Sequence, residues 1–313
     1  MSKKSGKSIF ENIIVVILGA LICDFLWGSA FPFIKIGYKL FEIDGGDTAT
    51  QILFGGVRFV LAGILAVIIG SIIQKHILIP KRDEIKSICF VSLFQTIGQY
   101  ILFYIGMAHT SGVRGAIIEG TNVFVAILVA SLIFRQEKLT SKKILGSILG
   151  FAGVVIINLA GKSLGDGNIL SGDLMIFLST FCYGTSSVLL KRYSDRINTV
   201  MLSGYQFIFG GMVMSLVGLV FGGRLQVWNL KAAAVLAYLA FISAVAYSLW
   251  GVLLKYNPIS KVAVIGFMNP VFGVILSSVL LDDGSKLGVE CIISLVLICL
   301  GIIIVNRPDK GEE

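Results

Sequence analysis

Charged side chains are scarce in this sequence, and the scarcity decides the class of protein. Only 14% of the 313 residues are charged, where about 25% is usual for a soluble domain. Hydrophobic residues make up 56% of the chain, and the mean hydropathy is +0.92. A chain with so little polar surface cannot be a soluble enzyme, a disordered protein or a nucleic-acid-binding domain.

Metal-binding and catalytic motifs are also missing. The chain has only two histidines, and its five cysteines lie in apolar runs without C-x-x-C spacing, so we expect no metal site. It contains no G-x-S-x-G, P-loop or H-E-x-x-H motif. We therefore predict no cofactor and no enzymatic activity. Without a P-loop, any uphill transport must draw on a gradient instead of ATP bound by this chain.

Apolar runs recur along the whole chain. A helix needs about 20 such residues to cross the hydrocarbon core of a bilayer, and the alternation expected of membrane strands is absent. The predicted fold is an all-α polytopic membrane protein with ten transmembrane helices. The spans are predicted at residues 13–34, 51–73, 87–107, 114–134, 144–160, 173–190, 200–221, 232–254, 260–281 and 288–305.

The first span is predicted to be retained. Lys3, Lys4 and Lys7 before an apolar run resemble the start of a secretory signal. Asp24 interrupts that run and Trp27-Gly28 follows it, so an uncleaved span explains the segment better.

The basic residues are distributed unevenly between the two sides of these spans. With the N-terminus inside, 18 of the 26 Lys and Arg residues lie in inside segments and six lie in outside segments. This is the bias of the positive-inside rule. The net charge of +8 therefore indicates topology and no nucleic-acid partner. We predict a bacterial-type plasma (inner) membrane protein with both termini cytoplasmic.

The sequence contains an internal repeat. Residues 122–158 align with 270–306 without a gap, and twelve of the 37 positions are identical. An offset of 156 residues places Trp27-Gly28-Ser29 on Tyr183-Gly184-Thr185 and Lys35 on Lys191. Two halves of five spans each would enter the membrane from opposite sides, as in secondary transporters with inverted repeats. The predicted divisions are a cytoplasmic N-terminus (1–12), a first repeat (13–160), an external linker (161–172), a second repeat (173–306) and a cytoplasmic C-terminus (307–313).

Several short motifs together resemble one transporter family. They are Trp27-Gly28-Ser29 with Lys35, Arg58-Phe59, Thr110-Ser111, and Glu137-Lys138-Leu139-Thr140 followed by Gly146, Gly150 and Gly153. With these the chain resembles the EamA branch of the drug/metabolite transporter (DMT) superfamily. Two departures are Asn122, where the family often has proline, and Asp282-Asp283, where it usually has glutamate. The resemblance implies a ten-helix carrier with cytoplasmic termini that exports amino acids or other small metabolites.

Charged residues inside the predicted spans are the first candidates for function. Asp24 and Glu119 are carboxylates placed in the middle of apolar runs, and Arg58 lies in span 2. An ionisable group in hydrocarbon costs several kcal/mol, so each must face a cavity or a partner. Two interpretations stay open. The carboxylates take up protons or pair with a cationic substrate, or they form a structural ion pair, for instance with Arg58.

Polar and aromatic residues in the spans are the second group of candidates. Span 3 carries Ser92, Gln95 and Gln99 at helical spacing, which places them on one face. Both substrate binding and packing between helices explain such residues. Pro32 and Pro270 are predicted to break spans 1 and 9, as hinges beside the site or as packing kinks. The remaining candidates for the substrate or ion pathway are Trp27, Ser29, Tyr100, Asn122, Tyr183, Tyr247, Trp250 and Asn269.

These observations predict a secondary transporter that works by alternating access. Spans 1, 3, 4, 6, 8 and 9 are expected to line a central cavity for a small-molecule substrate, with the lipid bilayer as the surrounding partner. Spans 5 and 10 are expected at the periphery or in a homodimer contact. Proton exchange is one coupling mode. An uncoupled facilitator of the same fold and a polytopic membrane enzyme are the alternatives.

Overall fold

The computed structural model describes residues 8–109, 118–159, 169–226, 229–281 and 289–307. Within these ranges the chain is helical and has no β-strand. The motifs Thr110-Ser111 and Asp282-Asp283 and most of the predicted linker 161–172 lie outside the described residues. A short 3₁₀ turn, Ile9–Glu11, precedes the first helix.

Most helices are uninterrupted. They are Ile13–Leu40 (α1), Thr48–Gln74 (α2), Ser141–Leu159 (α5), Ile169–Tyr193 (α6), Thr199–Val220 (α7), Leu230–Tyr256 (α8) and Val289–Asn306 (α10).

Three further helices change their winding along their length. Helix α3 consists of Arg82–Ser92, a π-helical stretch Leu93–Gly98, and Gln99–Ala108. Helix α4 covers Ile118–Ile133 and becomes π-helical over Val129–Ile133. Helix α9 consists of Ile259–Ala263, a 3₁₀ stretch Val264–Phe267, and Met268–Leu280.

Seven of the described helices are long and apolar enough to cross a membrane, namely α1, α2, α3, α6, α7, α8 and α9. Helices α4 and α10 contain shorter apolar stretches of 10–17 residues. The prediction of an all-helical polytopic membrane protein is therefore confirmed. The predicted spans 114–134, 144–160 and 288–305 do not reach the same length and hydropathy in the described residues, so the count of ten stays a prediction.

Polar residues start several of these helices. The side chains of Asn12, Asp47, Asn198 and Asn229 each accept a hydrogen bond from a backbone N–H in the first turn of α1, α2, α7 and α8, respectively. Such caps satisfy donors that have no partner within the helix. Polar residues between apolar runs therefore set where these four helices begin.

Two pairs of helices pack at backbone distance through small residues. In the α2–α7 pair, a Cβ added at Gly63 would lie 2.4 Å from the carbonyl oxygen of Gly204. In the α5–α10 pair, a Cβ at Gly301 would lie 2.5 Å from the carbonyl oxygen of Gly146, and one at Gly153 would lie 2.8 Å from that of Ser294. Only glycine permits such close approach, as is common between membrane helices. The small face of α5 is thus occupied by α10 of the same chain.

The remaining contacts connect early helices with late ones. Helix α1 packs against α8 and α9, while α6 packs against α3 and α4. Gly28 of α1 faces Phe272 and Gly273 of α9, and Gly184 of α6 faces Ala126 of α4. The bundle is therefore interleaved: α1 has its main neighbours in the second part of the chain, and α6 has its main neighbours in the first.

The outer surface of the bundle is apolar, and its interior contains the polar side chains. Large hydrophobic residues are widely exposed, for example Ile72, Leu216 and Val296. Polar residues such as Ser92, Gln95, Thr96 and Gln206 are buried. The exposed large hydrophobic residues fit a surface in contact with lipid.

Candidate functional site

Asp24 is a buried carboxylate without a hydrogen-bond partner. It lies in the middle of α1 and is 0% exposed, and neither of its carboxylate oxygens accepts a hydrogen bond from the part of the chain that the structure describes. Its neighbour Cys23 donates a hydrogen bond from Sγ to the carbonyl oxygen of Ala246, 3.3 Å away. This bond joins α1 to α8 at the level of Asp24. Asp24 lies within electrostatic range of Tyr183 of α6. Burying an ionised carboxyl group costs free energy unless the group is paired with a cation, and the cost is avoided when the group is protonated. This position therefore needs a functional explanation.

Aromatic residues form a box one turn along α1 from Asp24. The Trp27 ring centroid lies 5.0 Å from those of Tyr247 and Trp250 on α8, both in edge contact. The hydroxyl groups of Tyr100 on α3 and Tyr247 are hydrogen-bonded at 2.5 Å. The indole nitrogens of Trp27 and Trp250 have no partner. We call Trp27, Tyr100, Tyr247 and Trp250 the aromatic box; all four were predicted from the sequence, and the structure brings them together.

Two further aromatic residues complete the wall of this box. Phe59 of α2 lies 4.5 Å from Tyr100 and stacks on Phe207 of α7 at 5.1 Å, measured between ring centroids. Phe207 in turn meets Tyr247 at 4.9 Å. No sequence pattern distinguishes Phe207, because a phenylalanine in an apolar run is ordinary. Phe59 was noted only as part of a family motif.

Arg58 is bound to the backbone and to a hydroxyl group instead of a carboxylate. It is 4% exposed, and it donates from Nε to the Leu239 carbonyl at 3.3 Å and from Nη2 to Ser243 Oγ at 3.0 Å. Among the described residues it forms no ion pair with Asp24 or Glu119. The structure thus does not support the interpretation of these charges as an ion pair with Arg58.

Glu119 lines a small cavity between α4 and α9. The cavity has a volume of about 30 Å³, room for about one water molecule. Its lining residues are Phe31, Glu119, Gly120, Asn122, Val123, Gly266, Phe267, Asn269 and Pro270. The side-chain oxygen of Asn269 is buried without a partner, and the 3₁₀ stretch of α9 ends just before it. The predicted residues Glu119, Asn122, Asn269 and Pro270 are therefore brought together at the point where α9 changes its winding.

The cavity, the aromatic box and Asp24 lie close to one another. Tyr247 is within electrostatic range of Tyr183, Arg58 and Glu119. Tyr183 in turn is within electrostatic range of Asp24. The buried ionisable groups of the predicted spans thus belong to one central region.

Gln95 and Gln99 face the interior at the π-helical stretch of α3. Gln95 lies within this stretch and is 3% exposed, and Gln99 begins the helix that follows. The side-chain oxygens of both are buried without partners. A π-helix has a wider turn than an α-helix, so the single face predicted from regular spacing is broken here. Such stretches are frequent at functional sites.

Other predicted residues serve the packing of the helices. Ser29 donates to the Leu26 carbonyl at 2.7 Å and is hydrogen-bonded to the Tyr238 hydroxyl group at 3.0 Å. Ser92 donates to the Gln206 carbonyl on α7 at 2.7 Å. The predicted break of span 1 at Pro32 does not occur, because α1 is continuous through this residue. Among the described helices, the winding changes in α3, α4 and α9.

A polar network ties the loop between α4 and α5 to the start of α9. Glu137 forms an ion pair with Lys143 at 2.7 Å. The same carboxylate accepts hydrogen bonds from the Ser260 backbone N–H at 3.0 Å and from Ser260 Oγ at 2.5 Å. It thereby caps a helix start that has no cap of its own. The sequence indicated Glu137 only as a family motif residue.

A second polar contact lies at the same end of the bundle. Lys191 Nζ donates to the carbonyl oxygens of Leu254 and Asn257, where α8 ends. A cation at a helix C-terminus satisfies carbonyls that have no partner in the helix. Asn257 in turn donates to the Phe10 carbonyl at 2.8 Å. These contacts join α6, α8 and the N-terminal turn on the side predicted to be cytoplasmic.

An apolar-surfaced helical bundle with a buried polar centre defines the class: a multi-pass membrane protein. Comparison with known proteins then identifies the family. The sequence pattern of the EamA-like transporter family matches residues 14–159 and again residues 170–307. The chain belongs to this family, and it is therefore a membrane transporter of the DMT type.

Individual relatives agree with this assignment. The uncharacterized transporter YyaM of Bacillus subtilis (strain 168) is 26% identical over 79% of this chain and 81% of its own length. The uncharacterized transporter YvbV of the same organism is 25% identical over 94% of this chain and 93% of its own length. A crystal structure superposes with a TM-score of 0.75 over 93% of this chain and 96% of the other chain, at 15% sequence identity. This last similarity shows a shared fold alone.

Proposed function

We propose that the protein is a secondary transporter that exports a small metabolite or an amino acid by alternating access, in exchange for protons. In this proposal ten spans form two inverted repeats, both termini are cytoplasmic, and the membrane is a bacterial inner membrane. The family pattern matches the chain twice in succession, which supports two related halves.

The packing of the helices also supports inverted repeats. In two related halves, α1 corresponds to α6, α3 to α8 and α4 to α9. The contacts of α1 with α8 and α9 then mirror the contacts of α6 with α3 and α4. The α5–α10 contact is symmetric in the same way, because the offset of 148 residues exchanges Gly146 with Ser294 and Gly153 with Gly301. Transporters built this way bind substrate between the halves near the membrane midplane.

The bare carboxylate of Asp24 carries the proposal of proton exchange. Its oxygens are fully buried and without hydrogen bonds, a state that is stable only if the group is protonated or paired with a cation. In an exchange cycle, Asp24 holds a proton while the site is empty of substrate. It gives the proton up on the other side of the membrane, when substrate binds. Glu119, beside the cavity, is the second carboxylate that can serve in this way.

Transport assays in proteoliposomes test this function. Purified protein reconstituted with an inside-to-outside proton gradient is screened for counterflow of radiolabelled amino acids and organic amines. Flux that rises with the gradient in the parent, and loses that dependence in Asp24→Asn or Glu119→Gln, is the expected result. Normal, gradient-dependent flux in both variants would contradict proton exchange through these groups. Flux independent of the gradient in the parent indicates a facilitator instead.

A further inference from the structure

The hydrogen-bonding groups left open in the central region are unequal in kind. Among the site residues, five buried acceptor atoms have no partner: both oxygens of Asp24, Oε1 of Gln95, Oε1 of Gln99 and Oδ1 of Asn269. Among the described residues, the fully buried N–H donors without a partner are the indole nitrogens of Trp27 and Trp250 and, next to Phe207, Nε2 of Gln206. An acceptor-rich site is complementary to a ligand that brings N–H donors.

The ionisable groups of the region also favour a cationic ligand. Arg58 is held by the Leu239 carbonyl and Ser243 of α8, and it pairs with neither Asp24 nor Glu119. When Asp24 or Glu119 gives up its proton, Arg58 does not neutralise the carboxylate, so a cation has to come from the ligand. An anionic ligand would place its negative charge beside an ionised carboxylate in a poorly solvated interior, where like charges repel strongly.

The aromatic box supplies the third element of recognition. The faces of tryptophan and tyrosine rings attract cations within about 6 Å of the ring centre. Trp27 follows Asp24 by three residues on α1, so the two side chains project from neighbouring positions on one face of the helix. Trp27 also contacts Tyr247 and Trp250 at 5.0 Å. A carboxylate beside several aromatic rings combines charge pairing with an apolar, cation-attracting wall.

We infer that the ligand of this site is an organic monocation, an ammonium group on an aromatic or apolar body. Its ammonium group binds Asp24 and the open amide oxygens, and its body lies in the aromatic box. The inference rests on the proposed transport function, and it narrows the substrate class from small metabolites in general to amines. The rings now touch one another, so the box opens to admit the ligand, a movement that alternating access provides.

A series of ligands with one ring and different charge separates this inference from its alternatives. Phenethylamine carries a cation, phenylalanine is a zwitterion, 3-phenylpropionate is an anion and 2-phenylethanol is neutral. Trp228→Phe leaves Trp27 and Trp250 as the only tryptophans of the chain, so quenching of tryptophan fluorescence in that background reports on the box. We expect saturable quenching by phenethylamine and none by 3-phenylpropionate at the same concentrations.

Two variants of Asp24 make the test specific for charge. Asp24→Asn removes the charge at nearly constant shape, and we expect it to weaken phenethylamine binding by about tenfold to a hundredfold, the effect of losing a hydrogen-bonded charge pair. Asp24→Glu keeps the charge and should retain most of the affinity. If Asp24→Asn does not fold, Trp27→Leu in the full-length chain replaces it, read by ligand-induced thermal shift. Loss of the shift supports the inference.

Three outcomes would overturn the inference. These are equal binding of the neutral or anionic compound, unchanged binding in Asp24→Asn, or an absence of amine binding altogether. The proposed transport function is judged separately, by counterflow of amino acids in proteoliposomes. Gradient-driven amino acid flux without amine binding would therefore refute the cationic substrate and leave the transporter in place.

Discussion

Removing the Glu137 side chain should destabilise the protein more than any other change in the loop between α4 and α5. This carboxylate pairs with Lys143 and accepts two hydrogen bonds from Ser260. The Glu137 and Lys143 side chains are only 10% and 15% exposed, respectively, so water cannot replace the lost contacts fully. In Glu137→Ala the backbone N–H of Ser260 and the ammonium group of Lys143 lose their main partner.

The size of the effect follows from these contacts. A hydrogen bond to a charged group contributes about 1.5–3 kcal/mol, and breaking a largely buried ion pair costs about 3–5 kcal/mol. The contacts overlap on one carboxylate and Lys143 keeps its bond to the Lys138 carbonyl, so we expect a loss of about 3 kcal/mol, toward the lower end of the pair range. For a chain of this size, that lowers the Tm by about 5 °C or more.

Thermal unfolding in detergent, followed by size-exclusion chromatography of heated samples, measures this change. Lys138→Ala is the matched control, because its exposed side chain lies in the same loop and makes none of these contacts. Glu137→Gln should fall between the control and Glu137→Ala, since an amide oxygen still accepts from Ser260. If Glu137→Ala melts together with Lys138→Ala, the network does not stabilise the fold and the reasoning is refuted.

Three other substitutions can be judged by the same melting assay. Gly301→Ala places a Cβ 2.5 Å from a backbone oxygen of α5 and should lower the Tm strongly, whereas Gly45→Ala, with nothing within 4 Å, should not; equal melting would contradict the close packing. Tyr100→Phe removes a partly buried hydrogen bond of the aromatic box and should destabilise by about 1 kcal/mol, and an unchanged Tm would count against that bond. Asn198→Ala removes the cap of α7, again at about 1 kcal/mol; melting at the parent temperature would disprove the cap.

Part of this architecture can be predicted from the sequence because membrane burial follows simple rules. Apolar runs predict the helices, and polar residues such as Asn198 and Asn229 mark where helices begin. Tyr247 and Trp250 are candidates from the sequence because aromatic rings mixed with hydroxyl groups can line a cavity, and Trp27 is one through the family motif. The structure places the three in contact.

Other features depend on tertiary contacts that no local pattern encodes. The π-helical stretch Leu93–Gly98 lies in a helix, α3, that contains no proline, while α1 continues through Pro32. Proline alone therefore did not reveal where the helices change their winding. Ser29 and Ser92 are polar residues inside apolar runs, as site residues are. Their hydroxyl groups nevertheless donate hydrogen bonds to backbone carbonyls, Ser29 within α1 and Ser92 from α3 to α7.

The interleaving of early and late helices has a consequence for biosynthesis. The main neighbours of α1 are α8 and α9, which are synthesised some two hundred residues after it. Until then Asp24 is not enclosed by the later helices, and its carboxyl group faces lipid or the insertion machinery. Completion of the bundle is thus a late event with many long-range contacts. Two fragments divided between α5 and α6 should acquire the native fold only when they are produced together.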